Sequence, residues 1–183
     1  MNGRDLAIPE KRYQILEPQS GDEVAIGPMQ LQAWRESYLR PDLGATTDAI
    51  GAARGMVATQ AGDQFRAALF LEARAHPERI WYRVVKDEAG AVVGFIHGVI
   101  TPEANVLEAI YLLDVLKGEG VSDELMQGFL AWRDASKPTT LEVIAFNDRA
   151  LNFYTKYGFA KSAKEPVMFA GVFPVVEMSM EPN

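Results

Sequence analysis

The chain has 183 residues, 48% of them hydrophobic and 23% charged, the balance of a soluble globular domain of ordinary size. Asp and Glu number 25 against 18 Lys and Arg, and the formal charge of −7 argues against a nucleic-acid-binding surface and weakly favours cationic or neutral substrates over polyanions. There is no cysteine and there are two histidines, His76 and His97, so disulfides, thiolate metal sites and a cysteine nucleophile are excluded and a hydrolytic Ser-His-Asp triad is poorly supplied.

No apolar run approaches the ~18 residues of a membrane span. The start, Met1-Asn2-Gly3-Arg4-Asp5, carries no apolar signal core, so the expected compartment is the cytoplasm. Residues 1–11 are expected to be a flexible segment and residues 12–183 one domain.

In chain order, a first strand is expected at 13–16, closed by Pro18 and the Gly21-Asp22 turn. A helical pattern begins at Pro28, with Met29, Leu31, Trp34 and Tyr38 near helical spacing, and stops at Pro41 and Gly44. Thr47-Asp48 can cap a second helix and Asp63 a third, whose apolar side shows Phe65, Leu69 and Leu71. Pro77 ends this helical region. Residues 80–85 and 91–100 then read as a hairpin around the Asp87–Gly90 turn. After a turn from Pro102 to Asn105, residues 106–114 form a third strand, apolar enough to be covered on both faces.

A glycine turn at 117–120 leads into a helix lined by Val121, Leu125, Phe129 and Trp132. Residues 140–144 are a strand, and Asn147 opens a helix that runs to Tyr157 and stops at Gly158. Residues 167–180 read as two strand pieces divided at Pro174. This order predicts a mixed α/β sheet with helices on both faces.

Two segments carry chemistry. Lys117-Gly118-Glu119-Gly120-Val121-Ser122 sits where a helix begins, and the free N–H groups of a helix start attract phosphate. The glycines allow a ligand to approach the backbone, although they equally serve to turn the chain into the helix. The lysine-serine ending of a P-loop and the glycine spacing of a dinucleotide site are both missing. The second segment is Asn147 to Phe159. Asn147 can cap its helix, and Ala150 leaves room beside Tyr154 one turn on. By local logic alone this is a packed amphipathic helix with aromatic core residues.

Asn147, the pair Arg149-Ala150, then Phe153-Tyr154 and Gly158-Phe159 resemble the late helix signature of the GNAT N-acetyltransferase superfamily. Lys117, Gly120 and Ser122 are similar to the same superfamily's pyrophosphate loop, and the helix at 31–38 to the first helix of many bacterial single-domain members. The resemblance spans 12–180. It implies an acyl-CoA N-acyltransferase fold: a mostly antiparallel sheet whose two central parallel strands, here 106–114 and 140–145, splay apart.

The resemblance further implies transfer of an acetyl group from acetyl-CoA, as co-substrate and without a metal, to a primary amine of a small molecule or peptide. Backbone groups at Tyr111, Leu112 and Leu113 would bind the pantetheine arm. The loop Lys117, Gly118, Glu119, Gly120, Val121 and Ser122 would take the pyrophosphate, although Glu119 puts a negative side chain there. Asn147 would contact the arm or a water, and Tyr154 would face the thioester sulfur and protonate the leaving thiolate. With no thiol available, transfer is expected to be direct, within a ternary complex.

The proton acceptor is expected to be Glu108, two residues from Ile110 and so on the face of Ile110 and Leu112. Family members often carry a glutamate two residues earlier, where this chain has Val106. His97, Asp114 and Glu142 are further candidates for the base. Residues 27–79, with Trp34, Tyr38, Met56 and Phe65, are expected to cover the acceptor, and a homodimer is expected. The competing reading is a non-catalytic acyl-CoA-binding or protein-interaction module on the same fold.

Overall fold

The β-rich runs join into one eight-stranded sheet in a computed structural model that describes residues 11–182. In chain order the elements are β1 (Tyr13–Leu16), α1 (Asp22–Tyr38), α2 (Thr47–Arg54), α3 (Gln60–Ala75), β2 (Ile80–Asp87), β3 (Val92–Ile100) and β4 (Asn105–Leu112). There follow α4 (Val121–Trp132), β5 (Thr139–Ile144), α5 (Asp148–Lys156), β6 (Ala160–Lys161), β7 (Val167–Phe169) and β8 (Phe173–Met180). The strand order is β1-β2-β3-β4-β5-β8-β6, with β7 also on β8, and the parallel pair is β4–β5. The segment expected to be flexible at 1–11 lies outside the described residues except for Lys11, whose Nζ donates to Glu124 Oε2 at 2.8 Å.

Both faces of the sheet are covered. The stripe Val121, Leu125 and Phe129 of α4 packs on Ile96, Leu107, Leu141 and Val143, with Tyr154 of α5 in the same cluster. On the other face α1 and α3 bury Ile26, Met29 and Phe70 against Tyr82, Val84 and Phe95. Trp34, Tyr38 and Ile50 cover Ile144 and Phe173 beside them.

Several expectations need correction. Helix α1 starts at Asp22, before Pro28, which lies inside it; Asp22 and Glu23 in its first turn complement the helix dipole. Thr46 and Thr59 cap α2 and α3 in place of Thr47-Asp48 and Asp63. Phe65 and Leu71 of α3 are exposed, and Phe70 and Arg66 face inward instead. The reason is tertiary: Arg66 ties α3 to α1, donating Nε to the Glu23 carbonyl at 2.7 Å and Nη2 to Asp63 at 2.6 Å. The break between the last strands falls at Ala170-Gly171, both with positive φ, and Pro174 sits inside β8. The short β6 gave no sequence signal.

The most consequential difference lies in β4. The strand begins at Asn105 and ends at Leu112, with Asp114 in a following 3-10 turn. His97 pairs with Ala109 and Gly98 with Leu107, so Glu108 is an extra residue with no partner on β3. This bulge resets the alternation. Leu107, Ile110 and Leu112 pack in the cluster under α4 and α5, whereas Ala109 and Tyr111 pack under α1 and α3. Glu108, adjacent to Leu107, therefore stands on the α1/α3 face, opposite to Ile110 and Leu112 and not with them.

Among the described residues no helix is long and apolar enough to cross a membrane.

Candidate active site

Strands β4 and β5 are paired at Asn105–Thr139, Val106–Thr140 and Leu107–Leu141 and nowhere further. Beyond that point β4 follows β3 as far as Leu112, and β5 follows β8 as far as Ile144. The bulge at Glu108 marks where β4 turns away, since a bulge bends its strand. A cavity of about 350 Å³ fills the resulting gap. The Leu113 N–H donates to Val93 on β3 at 2.9 Å, so strand alternation turns the N–H and C=O groups of Ile110 and Leu112 toward the gap.

Of the residues singled out in the sequence, Glu108, Tyr111, Leu112, Leu113, Lys117, Ser122, Asn147 and Tyr154 line this cavity. Gly118, Glu119, Gly120 and Val121 are not among its lining residues. Val121 is buried in the core. The charge of Glu119 acts on Tyr13, whose hydroxyl lies near the Glu119 carbonyl at 3.5 Å, so this acid stands toward β1. Gly118 and Gly120 have φ of 84° and 77°, the left-handed region glycine tolerates, and no side chain caps α4. The first N–H groups of that helix are thus without a side-chain partner. Lys117 pairs with Asp114, and the Asp114 N–H donates to Glu36 Oε2 of α1 at 2.8 Å. Asn147 accepts from the Ala150 N–H at 3.1 Å, and its side chain also reaches the Tyr38 phenol.

Tyr154 lines the cavity from α5. It is 7% exposed, and its hydroxyl has no hydrogen-bond partner among the described residues. Burial, then the nearby Tyr111 phenol, raise its pKa well above the ordinary tyrosine value, so it holds its proton at neutral pH. Burial also raises Tyr38, with Tyr111 and Tyr154 adding to it. Glu108 opens to the cavity, yet partial burial and then the charge of Glu142 hold its carboxyl above the usual range.

Glu142 and Asp114 also line the cavity; His97 does not. Its ring stacks on Tyr82, its Nε2 is buried without a partner, and burial pushes its pKa down to about 4. Of the expected acceptor cover, Tyr38 reaches the cavity, Trp34 is core beneath Arg54, and Met56 and Phe65 are exposed elsewhere. Sequence reasoning missed Glu36 and Ser37, which the last turn of α1 brings to the cavity beside Tyr38, and Arg149, which sat inside the late motif without an assigned role. Among the described residues no group of three or more His, Asp or Glu gathers as metal ligands would.

A mixed sheet that parts between its two parallel strands, with a glycine-led helix start at the gap and a buried phenol within it, is the architecture of an acyl-CoA N-acyltransferase. The chain belongs to the GNAT acetyltransferases: the family model for the acetyltransferase (GNAT) domain matches residues 58–182, more than half of its length. It is thus an N-acetyltransferase of that family.

Solved structures share the fold at low identity. PaiA N-acetyltransferase from Thermoplasma acidophilum, in complex with coenzyme A, is 14% identical with a TM-score of 0.71, over 92% of this chain and 98% of that one. Ribosomal-protein-S5-alanine acetyltransferase from Vibrio fischeri is 16% identical with a TM-score of 0.67, over 94% of each chain. Spermidine N-acetyltransferase from Vibrio cholerae, in complex with CoA and spermine, is 15% identical with a TM-score of 0.63, over 93% and 96%. No curated protein matches the sequence significantly.

Proposed function

We propose that the gap between β4 and β5 receives the pantetheine arm of acetyl-CoA, and that the acetyl group passes directly to a primary amine entering from the Glu108 side. The observation that carries this is the gap itself, with the amides of Ile110 and Leu112 turned into it and the unpartnered Tyr154 hydroxyl at its wall. The residues suit the ligand. Amides along one parted strand match the carbonyls of an extended arm, and the open N–H groups at the start of α4, with Lys117 and Arg149 at the cavity wall, suit the pyrophosphate.

A protonated amine has no lone pair, so its proton must leave first. Glu108 is the carboxylate placed to take it, and its raised pKa makes it a better base than an ordinary glutamate. The nitrogen then attacks the thioester carbonyl. The C–N bond forms, the C–S bond breaks, and a gap-facing amide at Leu112 stabilises the oxyanion. Tyr154, protonated at neutral pH, gives its proton to the departing thiolate and regains one as the nitrogen sheds its second proton on becoming the amide. The acceptors named for two structures of this fold, spermidine and a ribosomal-protein alanine, are both amines. A cytoplasmic setting and a homodimeric assembly belong to the same proposal.

The test is thermal melting with acetyl-CoA, followed by thiol release across amine acceptors. At a hundred times Kd the ligand stabilises the native state by about 2.7 kcal/mol, a rise in Tm of roughly 5–10 °C for a domain of this size. No shift at millimolar acetyl-CoA refutes the proposal and leaves an interaction module on the same fold.

A further inference from the structure

The charged lining of the cavity is polarised. Lys117 and Arg149 stand at the wall formed by the starts of α4 and α5. Glu108 and Glu142 stand across the sheet from it. The other two carboxylates in the lining are engaged. Glu36 accepts from Asp114 N–H and from Gln32 Nε2, both at 2.8 Å, and Asp114 pairs with Lys117. Glu108 and Glu142 alone among the cavity carboxylates have no hydrogen bond or ion pair with another described residue.

Their register explains why they meet. Leu107 and Leu141 are the last residues paired across β4 and β5, so Glu108 and Glu142 are the next in line on each strand, at the apex of the gap. Leu107 and Leu141 both point into the core beneath α4 and α5. The glutamates therefore share the opposite face. Glu177 of β8 pairs directly with Glu142, extending the row, with Lys164 at its outer end 3.1 Å from Glu177 Oε1. Like charges on neighbouring strands destabilise a sheet; Lys164 answers Glu177, whereas Glu108 and Glu142 have no ion pair among the described residues. A second feature of the same cavity points to a ligand: the Tyr154 hydroxyl, on a side chain 7% exposed, has no hydrogen bond with another described residue.

We propose that Glu108 and Glu142 together select an acceptor with two cationic nitrogens, a short linear diamine or polyamine, acetylated at the nitrogen beside Glu108 and held by Glu142 at the next. This rests on the transferase reading and names its acceptor. A monoamine neutralises one carboxylate and leaves the other bare. A diamine neutralises both, and when the reacting nitrogen gives its proton to Glu108 the second ammonium still balances Glu142. Paired strands lie about 5 Å apart, and Glu108 and Glu142 stand one residue past the last pair, within the reach of nitrogens separated by three or four methylenes.

The experiment is calorimetric binding of 1,4-diaminobutane and n-butylamine to the full chain saturated with coenzyme A, at low salt. The diamine is expected to bind about tenfold tighter or better, the value of one added charge-assisted contact. Glu142→Gln is expected to bring it down to the level of the monoamine, and Glu142→Asp to restore part of the advantage. Equal binding of the two amines, binding of neither, or an advantage that survives Glu142→Gln overturns the assignment. If coenzyme A still raises Tm in that case, only the acceptor assignment fails. If coenzyme A gives no shift, the transferase reading fails with it.

Discussion

Asn105 of β4 and Thr139 of β5 face each other at the closed end of the gap, both completely buried, with Asn105 Nδ2 donating to Thr139 Oγ1 at 3.3 Å. The same amide clasps the loop that follows α4: Nδ2 donates to the Asp134 carbonyl at 2.8 Å, and Oδ1 accepts the Asp134 N–H at 2.9 Å. Backbone groups of that loop converge on a site closed to water, and buried polar groups must find partners. One asparagine supplies both kinds. The closed end of the parallel pair is thus pinned by a polar clasp, while Leu107 and Leu141, next to the gap, are held by apolar packing under α4 and α5.

Asn105→Ala is therefore expected to cost about 1–3 kcal/mol, because it strands a buried N–H and a buried carbonyl. Thermal melting reads the loss. The affinity for acetyl-CoA should fall as well, since the apex of the gap is no longer fixed. A variant that melts like the parent and binds acetyl-CoA equally well shows that the clasp does not set the gap.

Tyr154→Phe keeps the ring that packs against Phe153 and Phe159 and removes only the hydroxyl. Loss of a general acid lowers kcat by about 10²–10⁴-fold, and the acetyl-CoA Kd should change far less. Steady-state turnover beside direct binding separates the two. Unchanged kcat would leave the thiolate to take its proton from water.

Much of this was legible because the local signals agreed with the tertiary outcome. The strands around Trp81 and Phe95, the stripe from Val121 to Phe129, and the Asn147 cap all form where their patterns place them. The bulge at Glu108 was not legible. No glycine or proline within β4 marks it, and it arises in the pairing with β3, where Gly98 lies so close beneath Phe129 that a Cβ there would collide with its ring. That single extra residue decided the face on which Glu108 stands. The meeting of Glu108 with Glu142 was equally hidden, because it follows from a parallel register between strands separated by a helix. Asn105 read as a turn residue beside Pro102; only the carbonyls of a loop some 30 residues on explain its burial. Phe65 and Leu71 looked apolar and inward, but the anchoring of Arg66 turned α3 by its own geometry.

Gly94 of β3 lies opposite Leu112, the last residue of β4. A Cβ at Gly94 would collide with the Leu112 side chain and stand 2.9 Å from the Tyr111 carbonyl, which, being backbone, cannot move aside alone. Gly94→Ala must therefore push the open end of β4 toward the gap. The expected cost is about 1–3 kcal/mol of stability, typical of overpacking, together with weaker acetyl-CoA binding. Retention of full affinity would show that the gap tolerates movement of the Leu112 amide.

Glu108 links proton transfer to stability, and the two effects run in opposite directions. Partial burial and the neighbouring Glu142 raise its pKa in the folded protein. As the proposed base it would work only when ionised, so kcat/KM should fall on the acid side at a pH above the ordinary glutamate value of about 4.3. Removing the like charge with Glu142→Gln should move that limb toward lower pH. For stability, the folded state binds the proton more tightly than the unfolded one between the two pKa values, so unfolding free energy decreases as pH rises through that window. Above it the ionised carboxylate is a standing cost. Glu108→Gln should then melt higher than the parent at neutral pH, by less than about 1 kcal/mol because the side chain reaches solvent. The difference should vanish below the unfolded-state pKa, where the parent is also neutral. Melting curves at the two pH values decide: a variant that is slower in catalysis and more stable at neutral pH is the signature of a base held against its environment, and one that is less stable at both shows that Glu108 supports the bulge and carries no such strain.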